Sequence, residues 1–552
     1  VTPRWYPVAI FVFALLWRLI GINWGLPNDL HAQSYHPDEP VNVLYAQQVD
    51  LSKGDFEPGF YNYPTLYLTA LRIVSDMTSA YTGAPDPKSE ASQWAFFGRA
   101  TKGGRILAAL AGAGTALVVF FLLRRLTTDF GAILGAALVA IAPAFSVHSR
   151  FATVDVPSTF FFALTLLYAV KLLQNRGAEE PNERQNEKLI LLGAVFAGLA
   201  AGTKYNAGLG LLSLIVAIWL VETRVRAALA TLVSILASGT VFLITTPGIL
   251  TNSAKFWKDF NYELGHSATG HGLVFLGTNS GFIYHLQNLF LGVGILLTLL
   301  GGAALLGAAY KKHLWAWVVL ASVLPYYLMV GRAEVKFMRY TFPLVVGLGV
   351  GFGWLMGRAR QKEGKWHYLV GAGLLGLGGV DPGGFRASAA YAYWMANEDP
   401  RDQAGRYLKE NASAVAIPTD PWFYTAALYP DVTLPRMAGF PKIFAAMQAS
   451  EKPLVVRSTA ADLAQRFNWD ASVLTDLAPQ YVSFSSLEFN NVARLDKLAN
   501  VPEEAKGEVE NWRKYKAALE KDYQVERVFG LGTGGVEDLE YIQPVVQIWK
   551  RK

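Results

Sequence analysis

Long apolar runs alternate with short polar connections from Trp5 to Val380, and beyond that point the pattern changes. A membrane-spanning helix needs ~20 largely apolar residues at ~1.5 Å rise each. By that measure the chain predicts about eleven spans, at about 5–26, 104–123, 130–148, 153–173, 189–203, 206–222, 227–247, 283–309, 314–330, 338–356 and 366–380. The stretch 62–83 is apolar too, but carries Arg72, Ser75 and Asp76 at its centre. A charge at mid-bilayer costs ~2.5–3.5 kcal/mol on insertion scales, so this segment is predicted to lie in the interface.

Residues 385–552 are polar and mixed in charge. Strand-like runs (Leu454-Val455-Val456, Tyr481 to Phe484, Val545 to Ile548) alternate there with helical segments such as 503–521. The pattern predicts two parts: an α-helical polytopic membrane domain, 1–384, whose first outer loop (27–103) holds interfacial helices, and a soluble α/β domain, 385–552. No internal repeat or low-complexity tract is visible. The linker 174–188, from Gln174-Asn175-Arg176-Gly177 onward, is expected to be disordered.

Charge fixes the expected sidedness. If the first span runs from inside to outside, alternate connections are cytoplasmic. They hold Arg124-Arg125, Lys171 to Lys188, Arg224 and Arg226, Lys311-Lys312, and Arg358, Arg360, Lys362 and Lys365. Each is basic and borders a span end, as the positive-inside rule asks. Counting 62–83 as a span would turn them all outward. The expected location is therefore the cell membrane, with the N-terminus cytoplasmic and the domain 385–552 outside. The run from Trp5 lacks a small-residue cleavage site and reads as an uncleaved anchor.

Composition narrows the chemistry. Charged residues make up 17% of the 552, against roughly 25% in a soluble protein. The net charge of +6 comes from clusters between apolar runs and forms no basic stripe, which excludes a nucleic-acid partner. Cysteine is absent, so disulfides, thiolate metal sites and Cys nucleophiles are excluded.

Acids and bases from five outer loops share one face. Asp38-Glu39 follows the first span; adjacent carboxylates point apart, so one can take a proton while the other orients a substrate or cation. A helix N-terminus would equally account for the pair. Asp155 precedes Pro157 at the start of a span, where a cap is also expected, and Arg150 is placed to pair with it. Lys204 stands between two spans and must snorkel or meet an anion. Arg332, Lys336 and Arg339 run against the positive-inside bias, so recognition of a phosphate is the natural reason for them, with a Glu334 ion pair as the rival. Glu263, His266 and His271 look superficially metal-like, but the two histidines lack i, i+4 spacing and read as surface residues.

In this order the motifs resemble the C-type glycosyltransferases, above all the dolichyl-phosphate-mannose–protein mannosyltransferases and the bacterial aminoarabinose transferases. The resemblance covers roughly residues 10–360. It rests on Asp38-Glu39, Pro64-Thr65-Leu66, Ser149-Arg150 with Asp155, Gly202-Thr203-Lys204-Tyr205, and Arg339-Tyr340 with Pro343. The chain departs from these relatives at Asn62-Tyr63-Pro64, where they often carry a cation, and at Pro40-Val41, which points away from a protein O-mannosyltransferase proper and to a bacterial relative, with the acceptor left open.

The resemblance implies an inverting transfer of sugar from a polyprenyl-phosphate carrier to an acceptor hydroxyl of a protein, glycan or lipid. It implies Asp38 as base, with Glu39 and Asp155 orienting the acceptor or holding a divalent metal ion. Lys204, Arg339, Tyr340, Arg150 and Lys336 would bind the lipid phosphate. Two rival readings are a lipid or sugar transporter, for which the expected repeat is missing, and a non-catalytic subunit that keeps the fold.

Overall fold

The computed structural model describes residues 5–31, 34–86, 88–176, 182–362, 364, 366–380, 382–419, 422–428, 455–457, 468–534 and 537–552. Five residues of the linker, 177–181, together with Leu454 and Lys365, lie outside the described residues.

The apolar runs form helices, but they are cut differently from the expected spans. The first is α1, Tyr6–Leu19, followed by α2, Asp38–Ala46, and α3, Leu66–Thr82. Helix α4, Glu90–Leu123, starts well before the expected span. The run 130–148 is divided into α5, Asp129–Ile141, and α6, Pro143–His148. Pro143 has no N–H to continue the ladder, and Ala142 before it is extended at ψ 118°. Next come α7, Asp155–Leu173, and α8, Glu183–Thr203. The run 283–309 is two helices, Gly281–Gly292 and Ile295–Tyr310, bent by 116° at a break where Gly294 takes φ 123°.

Among the described residues, four helices are long and apolar enough to cross a membrane: Ser92–Leu123, Asp155–Leu173, Arg224–Thr245 and Met338–Arg360. The bent pair would add a fifth. The expected count of about eleven is not reached by this measure, because several runs are shortened by breaks. Those breaks are satisfied internally, as carbonyls at helix ends must be in an apolar medium. Arg18, fully buried in α1, donates to the carbonyls of Ala140 and Val139 at the end of α5. Arg150 returns the arrangement, donating to Trp17 and Ile20 at the end of α1.

Small residues bring two helices into backbone contact. A Cβ at Gly131 would stand 2.3 Å from the Gly353 carbonyl, and one at Gly135 would stand 2.6 Å from that of Gly349. Gly131/Gly135 and Gly349/Gly353 are spaced four apart, the small-xxx-small pattern of close-packed membrane helices. Helix α3 pairs its charges: Arg72 meets Asp76 at 2.9 Å and donates to the Gln47 carbonyl, while Ile73, Met77 and Tyr81 form an exposed apolar row.

After residue 411 the chain builds a five-stranded sheet. Its strands are β1, Val415–Ile417, β2, Val455–Arg457, β3, Tyr481–Ser485, β4, Tyr523–Phe529, and β5, Val546–Arg551, in the order β2-β1-β3-β5-β4. β1 pairs parallel with β2 and β3, and β5 antiparallel with β3 and β4. The helix Lys506–Asp522 covers it with Val509, Trp512, Tyr515 and Leu519. The helix Gly384–Ala396 stays with the first part of the chain, where Trp17 donates to Ser388 at 2.9 Å.

A buried polar seam joins the segment after α1 to the sheet-bearing part. Arg401 holds Asp399 with two bonds of 2.7 Å and donates to the Tyr541 carbonyl, while Trp24 donates to the same Asp399. Tyr35 and Asn28 both donate to Asp402.

Candidate active site

Helix N-termini favour negative charge, and Asp38 and Glu39 occupy the first turn of α2. Their side chains then part. Glu39 is fully buried. Arg105 of α4 grips its two oxygens at 2.7 Å each, Ser34 donates to it, and the Ala152 N–H adds a bond of 2.7 Å. Burial works against its charge, yet Arg105 prevails and holds the carboxyl below the usual carboxylate range. A carboxylate has about four lone-pair sites, and all are used. Glu39 therefore fastens α2 to α4 and Ala152, instead of orienting an acceptor or an ion as expected. Arg105, which sequence reasoning passed over, also donates to the Ile22 and Trp24 carbonyls.

Asp38 keeps about a quarter of its side chain exposed and stands 3.3 Å from Arg339. Arg339 lies in a 3₁₀ turn, Met338–Thr341, that leads into the helix Phe342–Arg360. Its guanidinium also meets Asp538 at 2.7 Å, its backbone N–H donates to the same carboxylate, and it stacks on Phe337 at 3.9 Å. Asp538 belongs to the C-terminal part, and nothing in its local sequence marked it.

Lys204 ends α8, where the backbone becomes extended before a 3₁₀ turn, Tyr205–Gly210. Its ammonium donates to Asp155 at 2.6 Å and lies over the Tyr340 ring at 4.3 Å. Tyr340 follows Arg339 directly, so the two cation clusters adjoin. Beside them opens a cavity of about 380 Å³ lined by Asn62, Tyr63, Lys204, Glu263, Ser267 and Tyr340 among others. Burial raises the Glu263 carboxyl above its ordinary value.

Two buried histidines stand behind Asp38. His36 accepts the Asp38 N–H on Nδ1, and among the described residues its Nε2 and both ring nitrogens of His148 have no partner. Burial drives the His36 ring well below its ordinary pKa, so it is neutral.

Two further expectations change. Arg150 does not pair with Asp155, because its donors serve carbonyls of α1 and Ser146. Lys336 is buried against Glu334 at 3.0 Å and Thr278 at 3.2 Å, the rival ion-pair reading, which takes it out of the phosphate set. Histidines 266 and 271 touch each other at 3.1 Å. Among the described residues no group of three or more His, Cys, Asp or Glu could hold a metal. With Glu39 saturated and Asp155 bound to Lys204, these side chains do not fit a divalent ion.

The family model for dolichyl-phosphate-mannose-protein mannosyltransferase matches residues 62–261. No curated protein matches the chain. Among similar solved structures is the archaeal oligosaccharyltransferase AglB from Archaeoglobus fulgidus, in complex with an inhibitory peptide and a dolichol-phosphate. Its TM-score is 0.52 at 12% identity, covering 96% of this chain and 74% of that one. ArnT from Cupriavidus metallidurans bound to undecaprenyl phosphate is also similar, with a TM-score of 0.47 at 14% identity, covering 99% and 98%. The likeness to the oligosaccharyltransferase is one of fold, and the chain resembles the C-type glycosyltransferases in that fold and in the matched segment.

Proposed function

We propose that the chain is an inverting glycosyltransferase that takes a sugar from a polyprenyl-phosphate carrier and passes it to an acceptor hydroxyl on the outer face of the cell membrane. One observation carries the reading. A partly exposed carboxylate, Asp38, sits 3.3 Å from Arg339, whose neighbour Tyr340 shares a cavity wall with Lys204. A base paired with one cation thus adjoins, through Tyr340, a cavity lined by a second cation, with contributions from the first outer loop, the end of α8 and the turn before the helix Phe342–Arg360.

The chemistry follows from charge. In the reaction the acceptor oxygen bonds to the anomeric carbon as the bond from that carbon to the carrier phosphate breaks, and the electron pair leaves on the phosphate. Arg339 and Lys204 stabilise that growing charge, and preorganised cations are effective where water is excluded. An ammonium has three donors and a guanidinium five, so both keep donors for a phosphate oxygen beside their present partners. Asp38 receives the acceptor proton. Glu39, through Arg105, holds the turn that aims Asp38. A single displacement inverts the anomeric configuration.

The family match and the archaeal enzyme's dolichol-phosphate support a lipid-linked donor. The basic connections support a cytoplasmic N-terminus and an outward C-terminal domain. In this arrangement α3 lies at the interface with its exposed apolar row toward lipid, and the short apolar helices complete the spans together with their 3₁₀ turns and bent partners.

The test is transfer by purified protein from polyprenyl-phosphate sugars, followed by mass spectrometry of envelope glycans, glycoproteins and lipids from cells with and without it. A new sugar on an acceptor, lost in Asp38→Asn, is the expected result. Full transfer by that variant would remove the base and the reading with it.

A further inference from the structure

A second cavity, of about 540 Å³, lies at the opposite ends of the helices that carry the reaction site. It is lined by Phe121, Arg124, Arg125, Leu167 and Lys171, so three of its five walls are cations. Lys171 follows Asp155 by sixteen residues on the one helix α7, which at ~1.5 Å per residue places them ~24 Å apart. That separation is close to the ~30 Å hydrocarbon thickness of a bilayer.

The cations are unequally satisfied. Arg124 pairs with Asp129 at 2.7 Å. Arg125 donates to Gln174 at 3.1 Å, and Gln174 donates back to the Arg125 carbonyl at 2.8 Å. This reciprocal pair ties the end of α4 to the end of α7. Lys171 rests on the Tyr168 ring at 4.5 Å. Among the described residues neither Arg125 nor Lys171 has a carboxylate within ion-pair distance. Helix C-termini do favour nearby cations, which accounts for their sign. It does not account for two of them facing an open cavity beside the exposed ring of Phe121.

We infer that this cavity binds the phosphodiester headgroup of an anionic membrane lipid, with Arg125 and Lys171 on the phosphate and Phe121 and Leu167 against the first carbons of its chains. Basic pockets between membrane helices recognise such headgroups. Guanidinium and ammonium groups divide the work: Arg125 holds oxygens in a planar fork, and Lys171 acts as a point charge. The site is separate from the Lys204 cavity and does not depend on the transfer reaction.

The experiment uses the full chain with Lys204→Gln, which weakens the other cavity's hold on a phosphate, as the common background for every variant. The protein is placed in bilayer discs of phosphatidylcholine with or without phosphatidylglycerol, and retained lipid is counted by native mass spectrometry. One phosphatidylglycerol should stay bound in preference to phosphatidylcholine and resist millimolar inorganic phosphate. In Arg125→Gln/Lys171→Gln retention should weaken about 30-fold, as the loss of two surface cations predicts. The single Lys171→Gln variant serves if the double variant does not fold. Equal retention in the variants, or equal retention of phosphatidylcholine, overturns the site. Displacement by inorganic phosphate overturns the lipid as its source.

Discussion

Asp538, 1% exposed, holds Arg339 twice, through the guanidinium at 2.7 Å and through the backbone N–H at 2.9 Å. The two residues are 199 positions apart. The contact fixes both the side chain and the turn that carries it, and so brings a residue of the C-terminal part to the candidate active site.

Asp538→Asn should keep the shape and lose the charge. Arg339 would then lean on Asp38 alone, and a displacement of ~1 Å at a reacting centre costs ~100-fold in rate. Asp538→Ala should also destabilise the protein by about 3 kcal/mol, as for other broken buried pairs. Transfer assays and thermal unfolding in detergent read the two effects. Wild-type rates in Asp538→Asn would show that Asp38 suffices to aim the guanidinium.

Asp38→Asn should lose transfer by ~10²–10⁴-fold, the usual contribution of a positioned base, with little change in unfolding temperature. Its side chain is a quarter exposed and makes one ion pair. A large loss of stability instead would mark Asp38 as structural.

Glu39→Ala and Arg105→Ala should each cost about 3–5 kcal/mol, since each leaves a buried charge unpaired. The double variant should cost clearly less than the two together, because the partners form one unit. A double-mutant cycle on unfolding free energy measures this, and simple additivity would contradict the pairing.

Gly353→Ala should destabilise the helix pair by about 1–3 kcal/mol, the usual cost of overpacking. Its Cβ would stand 2.6 Å from the Gly131 carbonyl oxygen. Gly371, with nothing near its Cβ position among the described residues, should accept alanine without loss. Unfolding temperatures of the two variants test the contrast.

Glu488 connects pH to the stability of the sheet. Burial pushes its carboxyl up to about 7 from 4.5, against the bonds it accepts from Thr419 and Ser485. The folded chain therefore binds this proton more tightly than the unfolded chain. The stabilisation is complete below about 4.5 and is lost as pH rises through about 7. Unfolding of the full chain across this window should show that slope, and Glu488→Gln should flatten it. An unchanged slope in the variant would assign the pH response to another group.

By itself, the order of the residues determined the broad architecture. Apolar runs of near-spanning length up to Val380 announce membrane helices, and the polar remainder, with its short strand-like runs, announces an α/β part. Three of the five strands, β2, β3 and β5, overlap runs visible in the sequence. Among the candidate site residues Asp38, Asp155, Lys204 and Arg339 were conspicuous in the sequence because a charge beside an apolar run stands out wherever it points. Local pattern carries no information on a partner 66 or 199 positions away, and so only the tertiary structure separated the two neighbours Asp38 and Glu39. Adjacent residues on a helix project about 100° apart, and the packing of α4 turned one carboxylate into a buried clasp with Arg105 and left the other open beside Arg339. The same holds for Arg150, whose charge was visible in the chain but whose partners, the helix-end carbonyls of α1, depended on where folding placed the surrounding backbone; for Lys336 the chain offered both a phosphate and Glu334, and folding chose Glu334.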